Sequence, residues 1–275
     1  MKKILISLLI LFMFFVPNLY AEDAVEIFKG ESGSLSLAGG TAHIPVLKEA
    51  AKRIMKYNHD IRITIGGGGS GVGIKKVGEG LIDIGNSGRK PSPGEISKYG
   101  LELYRWAIDG VTVVVHPSNK VNNLDTDTLK KIFSGKIKNW SKIGGSNAKI
   151  NIYTRDNSSG TRKVFWKKAL NKGEISPKAL FISSNGAMKT AVAKDKNSIG
   201  YISIGHLDNS VKGLSLNGIS PELENVKSGE YKVARGLYSN TKGEAKGLER
   251  KFIDYLYTLE GQSIIASKGF IPVKK

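Results

Sequence analysis

The residues best equipped for chemistry in this chain are oxyanion donors, not nucleophiles. Arg155-Asp156-Asn157-Ser158-Ser159-Gly160-Thr161-Arg162 follows an apolar strand-like run at 149–154 and precedes a helix-like run at 163–170. Ser159, Gly160 and Thr161 therefore sit where the first free N–H groups of a helix appear. Such a turn offers an oxyanion backbone donors, hydroxyls and the positive end of a helix dipole. Arg155 adds a planar donor fork that fits two oxygens of one anion. No general base stands beside these hydroxyls, so the reading is anion capture without bond making. The plainer reading of the same residues is an N-cap and a surface arginine.

Two more turns have the same form. The run at 61–65 alternates as a strand does and leads into Gly66-Gly67-Gly68-Gly69-Ser70-Gly71-Val72-Gly73. Four glycines before a serine let the backbone approach a ligand with no Cβ in the way. No Gly-Lys-Ser/Thr closes the loop, so it is not a Walker loop, and Val72 breaks a Gly-x-Ser-x-Gly pattern. Upstream, a short strand at 35–38 runs into Gly39-Gly40-Thr41. Residues 44–57 then have helical spacing, with Val46, Leu47, Ala50, Ala51, Ile54 and Met55 on one face and Pro45 in the first turn. The three turns are expected to converge on one ligand.

These segments, taken in order, resemble a known family. They are Gly39-Gly40-Thr41, Gly69-Ser70-Gly71, Ile82-Asp83-Ile84-Gly85-Asn86-Ser87, the run at 132–140 ending in Trp140, and the Arg155 to Thr161 turn. Ile199-Gly200-Tyr201-Ile202 and the stretch from Gly261-Gln262 to Gly269-Phe270-Ile271-Pro272-Val273 complete the set. The chain is similar to the periplasmic solute receptors of bacterial high-affinity phosphate transporters, the PstS type. The resemblance covers almost the whole chain after its leader. It implies an α/β, two-lobed periplasmic-binding-protein fold of type II with the ligand in the cleft between lobes. It also implies inorganic phosphate as ligand, inner-membrane ABC permease subunits as partners, a monomer, no metal and no cofactor.

Residue by residue, Gly40, Thr41 and Ala42 match the first phosphate-contacting turn and Ser70 the second. Arg155 matches the phosphate-binding arginine, and Ser159, Gly160 and Thr161 match the third turn. Many members of the family carry an aspartate just after the Ile-Gly-small-Ser run, which accepts a hydrogen bond from protonated phosphate. Here Gly88 holds that ligand-facing position and Arg89 follows. The acceptor is then Asp156 or a main-chain carbonyl near Gly88. Asp156 has a second possible role, orienting Arg155. A receptor for another tetrahedral oxyanion, sulfate or molybdate, is the alternative function. An exported phosphate-ester enzyme is the other, and it would need a metal cluster or an activated nucleophile.

The ends and the composition add limits. Met1-Lys2-Lys3, an apolar run at 4–17 and Leu19-Tyr20-Ala21 read as an export leader cleaved after Ala21. The run is short for a bilayer span of ~20 residues, the other reading of such a segment. The chain has no cysteine, hence no disulfide, no thiolate metal site and no lipid-bearing cysteine after the leader. Retention in a periplasm behind an outer membrane is then expected, with an extracellular protein as the alternative. Lys+Arg 42 against Asp+Glu 24 gives a net charge of +18. Its lysines are dispersed and lack an aromatic-rich basic motif, which argues against nucleic acid.

At 275 residues the chain is long enough for two lobes. The β-branched run at 111–115 and the run at 198–204 read as buried strands. Crossings at 111–116 and 201–205 would divide the chain into lobe I (22–112), lobe II (113–204) and a return to lobe I (205–275). Helices are expected at 127–133 and 247–259, and a loop or hairpin on lobe I at 221–232. His43, His59, His116 and His206 are scattered without metal-ligand spacing. His43 reads as a capping or solvent-facing residue, with shaping of the pocket beside the Thr41 turn as the alternative; Trp140 and Tyr201 read as packing, and Asp83 as a strand-edge residue.

Overall fold

The computed structural model describes residues 24–275; the leader expected at 1–21 lies outside the described residues. From its start the chain alternates strand and helix: β1 (Gly33–Gly39), α1 (Ile44–Tyr57), β2 (Ile61–Gly68), α2 (Ser70–Gly78) and β3 (Ile84–Ser87). β1 pairs in parallel with both β2 and β3. The apolar spacing of α1 does what it predicts, since Val46, Leu47, Ala50, Ala51 and Ile54 are all buried. Next comes α3 (Pro93–Tyr99), opened by a Ser92–Glu95 capping box. Arg89 grips the Glu95 carboxylate with two bonds of 2.7 and 2.6 Å, so it serves this cap.

β4 (Leu101–Val115) is long enough to serve two bodies. It leads into β5 (Asn123–Leu124), α4 (Thr126–Phe133), β6 (Asn151–Thr154), α5 (Gly160–Lys168), β7 (Leu180–Phe181), α6 (Asn185–Lys194) and β8 (Ser198–Ser203). β9 (Lys212–Gly213), β10 (Ser215–Leu216), α7 (Leu223–Ser228), β11 (Ala234–Lys242), α8 (Gly247–Tyr257), α9 (Leu259–Ser267) and β12 (Ile271–Pro272) complete the chain. The strand order is β2-β1-β3-β11-β4-β8-β6-β7. β11 runs antiparallel to both β3 and β4, so a strand from late in the chain closes the gap between two early ones.

Two large hydrophobic cores lie along this sheet, beside smaller clusters around Met188 and around Ile74. The first joins Leu35, Val46, Ile63 and Ile84 to Trp106, Leu237, Phe252, Ile265 and Phe270. The second joins Val111, Leu129, Phe133, Trp140, Phe165 and Tyr201 to Leu214, Val226, Tyr231 and Val233. Trp140 and Tyr201 are packing residues as expected, with Tyr201 stacked on Phe165 at 4.0 Å between ring centroids.

β4 passes from the first core at Ala107 to the second at Val111. The return differs from the expected crossing at 201–205. Ile204, Leu214, Val226 and Val233 all still pack in the second core, and the chain leaves it along β11. A central strand buried on both faces has the same composition as a strand that crosses between lobes, and β8 is buried at every position. The segment expected as a loop on lobe I instead holds α7, whose Val226 is in the second core. The last expected helix stops at Tyr257, and a further one follows, capped by the Thr258 hydroxyl. Among the described residues no helix is long and apolar enough to cross a membrane.

Candidate anion-binding site

The three strand–helix turns do converge. Gly40, Thr41 and Ala42 precede α1, Gly69 and Ser70 open α2, and Ser159, Gly160 and Thr161 open α5. Together with Gly88 and Arg155 they line one small cavity between the lobes. Every residue matched to the three turns, with Gly88 and Arg155, is thus on its wall, whereas the candidate acceptor Asp156 is not. Arg235, which no motif singled out, is there too. Three helix N-termini face the cavity, each presenting free N–H groups and roughly half a positive charge.

The hydroxyls are held as donors. Thr41 Oγ1 accepts from the Asn185 backbone N–H at 3.2 Å and from its side-chain amide at 3.0 Å. Thr161 Oγ1 accepts from Arg235 Nη1 at 3.0 Å and from Asn185 Nδ2 at 3.4 Å. Both lone pairs of each oxygen are therefore occupied, so each hydroxyl proton is free to point at a ligand. Ser70 Oγ accepts from the Gly88 N–H at 2.9 Å. Ser159 is the N-cap of α5 and accepts from the Arg162 N–H at 3.2 Å. Asn185 itself is fully buried and accepts from the Ser203 N–H at 3.0 Å. It ties a turn of one lobe to a turn of the other.

Arg155 is the least satisfied group in the cavity wall. It is 1% exposed. Its backbone N–H donates to Tyr201 Oη at 3.0 Å and its Nη2 donates to the Ser183 carbonyl at 2.9 Å. Nε and Nη1 are buried with no hydrogen-bond partner among the described residues. Burial pulls its pKa below the usual arginine value, the mark of a cation lacking a counter-charge in a dry site. An oxyanion in the cavity supplies both the charge and the acceptors.

Arg235 is differently placed. Its Nε donates to Asp109 Oδ2 at 2.8 Å, and its Nη2 lies 2.7 Å from the same oxygen. Asp109 is fully buried and also accepts from Ser203 Oγ at 2.9 Å. Burial pushes the Asp109 carboxyl up, against the pull of Arg235 and Ser203. The third arm, Nη1, reaches the Gly88 carbonyl at 3.3 Å. A Cβ at Gly88 would stand 2.7 Å from that nitrogen, so the guanidinium fills the space a side chain there would need.

Asp156 lies outside the cavity lining. Its Oδ1 accepts from the Ser158 N–H at 2.7 Å and from the Ser158 hydroxyl. Burial opposes its ionisation, but the Ser158 hydrogen bonds and Arg155 hold its pKa below the usual value. The residue braces the loop that touches the other lobe. Ser158 Oγ also lies 2.9 Å from the Gly68 carbonyl, which shares the single hydroxyl proton with Asp156, and the Gly71 N–H donates to the Ser158 carbonyl at 2.9 Å. Gly69 has φ +91°, and a Cβ on it would meet Ser158 Oγ at 2.7 Å, so both backbone and contact require glycine.

His43 occupies the N-cap position of α1, but its side chain makes no capping bond and is fully buried, not solvent-facing. Its ring packs edge-on against Trp106 and its Nδ1 pairs with the Gly40 carbonyl at 3.0 Å. Burial, with Arg235 nearby, holds its pKa down to about 3. His206 pairs with the Thr41 carbonyl at 3.2 Å and is held at about 4, chiefly by burial. Asp83 accepts from both the Ser36 N–H and hydroxyl at a strand edge. Among the described residues no cluster of three or more His, Cys, Asp or Glu side chains that could hold a metal is present.

Arg235, Asp109 and Asn185 escape sequence reasoning because none belongs to a glycine-rich turn. Their only signal is polarity inside or beside runs that otherwise read as buried strand or helix.

Known proteins share this architecture. Residues 26–260 match the PBP superfamily domain. The chain is 41% identical over 251 residues to the phosphate-binding protein PstS of Bacillus subtilis (strain 168), covering 89% of this chain and 83% of that relative. It is 31% identical over 287 aligned positions to the phosphate-binding protein PstS of Borreliella burgdorferi, covering all of both chains. A crystal structure described as a phosphate ABC transporter substrate-binding protein of Clostridium perfringens, with bound phosphate, superposes with a TM-score of 0.83. That protein is 32% identical, and the match covers 88% of this chain and 100% of the other. The chain belongs to the PBP superfamily and, within it, to the PstS-type phosphate-binding proteins.

Proposed function

We propose that this chain captures inorganic phosphate between its lobes and delivers it to the membrane subunits of an ABC transporter. The observation that carries the reading is the buried Arg155 guanidinium with two unpartnered N–H groups in a wall of hydroxyl donors. In this reading Arg155 binds two phosphate oxygens. Thr41, Ser70, Ser159 and Thr161 donate from their hydroxyls, and the backbone at Gly40, Ala42, Gly88 and Gly160 lines the ion. The Gly88 carbonyl takes the phosphate proton, because Asp156 is occupied by Ser158 and stands off the wall. Contacts across the cleft from Asn185 and Ser158 hold the lobes closed on the ion.

Release to a permease then requires prising apart those few interlobe bonds, not breaking either core. We read the protein as a binder without turnover, because among the described residues no carboxylate or histidine lines the cavity to act as a base. We further infer export by the leader at 1–21, cleavage after Ala21, and residence in the periplasm without a lipid anchor.

Titration calorimetry against phosphate, sulfate and molybdate, with a phosphatase assay in parallel, tests the reading. Tight phosphate binding without hydrolysis is expected. Preference for sulfate or molybdate would move the assignment to another oxyanion, and turnover of a phosphate ester would overturn it.

A further inference from the structure

We propose that the open edge of the sheet at β7 is a docking surface for an anionic lipid bilayer, with Leu180 and Phe181 seated among the headgroups and a rim of lysines drawn to their phosphates. The inference is independent of what the cavity between the lobes holds.

The apolar part comes first. β7 is the last strand of the sheet, so its outer edge carries unpaired backbone groups. Leu180 is 56% exposed and Phe181 67%. Of the large apolar side chains exposed among the described residues, these alone are neighbours in the chain. Single exposed apolar residues are ordinary, whereas a patch marks a site of interaction. Successive strand side chains point to opposite faces, so the pair straddles the edge. Leu180 continues into a groove lined by Ile137, Ile150, Ile152 and Pro177, and Phe181 lies outside that groove. The apolar surface is therefore a ridge with a hollow on one flank. A deformable interface fits such a shape better than a peptide confined to a slot.

Charge selects the kind of interface. Lys138, Lys149 and Lys178 line the same groove, and no carboxylate does. All three are exposed, and none is ion-paired among the described residues. A second groove shares Ser134 with the first and adds Lys130, Lys131 and Lys136 against Asp127 and Glu174. The two grooves together hold six lysines and two carboxylates. Asp195, joined to Asn151 of the first groove and to Tyr153 Oη at 2.9 Å each, adds one more carboxylate and leaves the excess positive. Every cation here is lysine. A hydrated point charge fits the diffuse field of a headgroup layer, whereas gripping one carboxylate favours the arginine fork. Long lysine stems let the ammonium groups reach phosphates while the apolar edge lies deeper. The same like charges repel a second copy of this chain. None of these residues lines the anion cavity, so docking leaves it free.

The test is cosedimentation with vesicles of phosphatidylglycerol and phosphatidylcholine in equal parts, against vesicles of phosphatidylcholine alone. Wild type is compared with an apolar variant, Leu180→Ser with Phe181→Ser, and a lysine variant, Lys138→Gln with Lys149→Gln and Lys178→Gln. A control, Lys48→Gln with Lys52→Gln and Lys56→Gln, removes the same charge from exposed positions on α1. Melting curves confirm that each is folded. Wild type should bind the mixed vesicles and not the zwitterionic ones, and added salt should weaken the binding. At about fivefold per lysine near the surface, the lysine variant should bind about 100-fold more weakly. The apolar variant should lose at least about tenfold, and the control less than about threefold. Failure of wild type to bind the mixed vesicles overturns the proposal, and retention on polyglutamate in its place would reassign the surface to an acidic protein segment. An equal loss in the control would show that net charge alone acts, and an apolar variant that binds like wild type would remove the ridge; either result also overturns it.

Discussion

Replacing Gly160 by alanine should separate lobe closure from folding. Gly160 is the first residue of α5 in one lobe, and Ser70 opens α2 in the other. A Cβ on Gly160 would stand 2.1 Å from Ser70 Oγ and 3.2 Å from the carbonyl carbon of Gly88. Ser70 Oγ is the tip of a side chain, but turning it away breaks its 2.9 Å bond from the Gly88 N–H, a net loss of about 1 kcal/mol. The remaining overlap behaves as overpacking and costs about 1–3 kcal/mol. The closed, liganded state should therefore lose about 2–4 kcal/mol, a phosphate affinity roughly 30- to 700-fold weaker. The open state feels none of this, because the two turns are then apart. Alanine also favours a helix over glycine by up to about 1 kcal/mol. The ligand-free protein should melt at or slightly above the wild-type temperature while its phosphate-dependent stabilisation collapses. Calorimetry and paired melting curves with and without phosphate read both quantities. Wild-type affinity, or a ligand-free melting point several degrees lower, would refute the reasoning.

Other perturbations have equally definite outcomes. Arg155→Lys keeps the charge but loses the fork that leaves Nε and Nη1 facing the cavity; truncation to alanine should weaken phosphate binding by about 2–5 kcal/mol, with lysine falling between, as measured by titration calorimetry. Asp156→Asn should leave the phosphate-to-sulfate affinity ratio unchanged in a competition assay, because the carboxylate is engaged with Ser158. A narrowed ratio would return Asp156 to the selectivity mechanism. His43 is neutral in the folded state, its pKa depressed from 6.5 to about 3. Its contribution to stability is present above the unfolded value and is lost as pH falls from 6.5 toward 3, at about 1.4 kcal/mol per pH unit. Denaturant titrations through that window should show the loss, with a smaller slope in His43→Phe.

Much of the fold was legible because the first half of the chain is built from local patterns. The spacing of Val46, Leu47, Ala50, Ala51 and Ile54 gives α1 directly. Glycine and hydroxyl residues between strand and helix marked the three turns that meet at the cavity. Arg235 was not legible. It sits at the second position of β11, and its partner Asp109 is 126 residues away, so only pairing across the finished sheet brings them together. Asn185 likewise reads as the first residue of an ordinary helix until Thr41, 144 residues distant, is placed beside it. The second crossing was missed because burial, not topology, is written in β-branched composition. Ser198–Ser203 and the end of β4 share that composition yet play different parts.

The position of β11 between β3 and β4 also governs the order in which the molecule can be assembled. The second core draws on residues from Val111 to Val233, an unbroken stretch of chain. The first needs Val25 and Leu35 from the beginning and Leu237, Phe252 and Phe270 from the end. Until β11 exists, β3 and β4 each have an open edge with unpaired backbone groups. A growing chain therefore completes its later core first, and its earliest residues wait for almost the last ones. A chain truncated after Val233 should protect the second core from pulsed proteolysis and leave residues 24–100 digestible. Equal protection of both would show that the first core closes without its missing strand. The same delay leaves residues 24–100 without their final partners until almost the whole chain has been made.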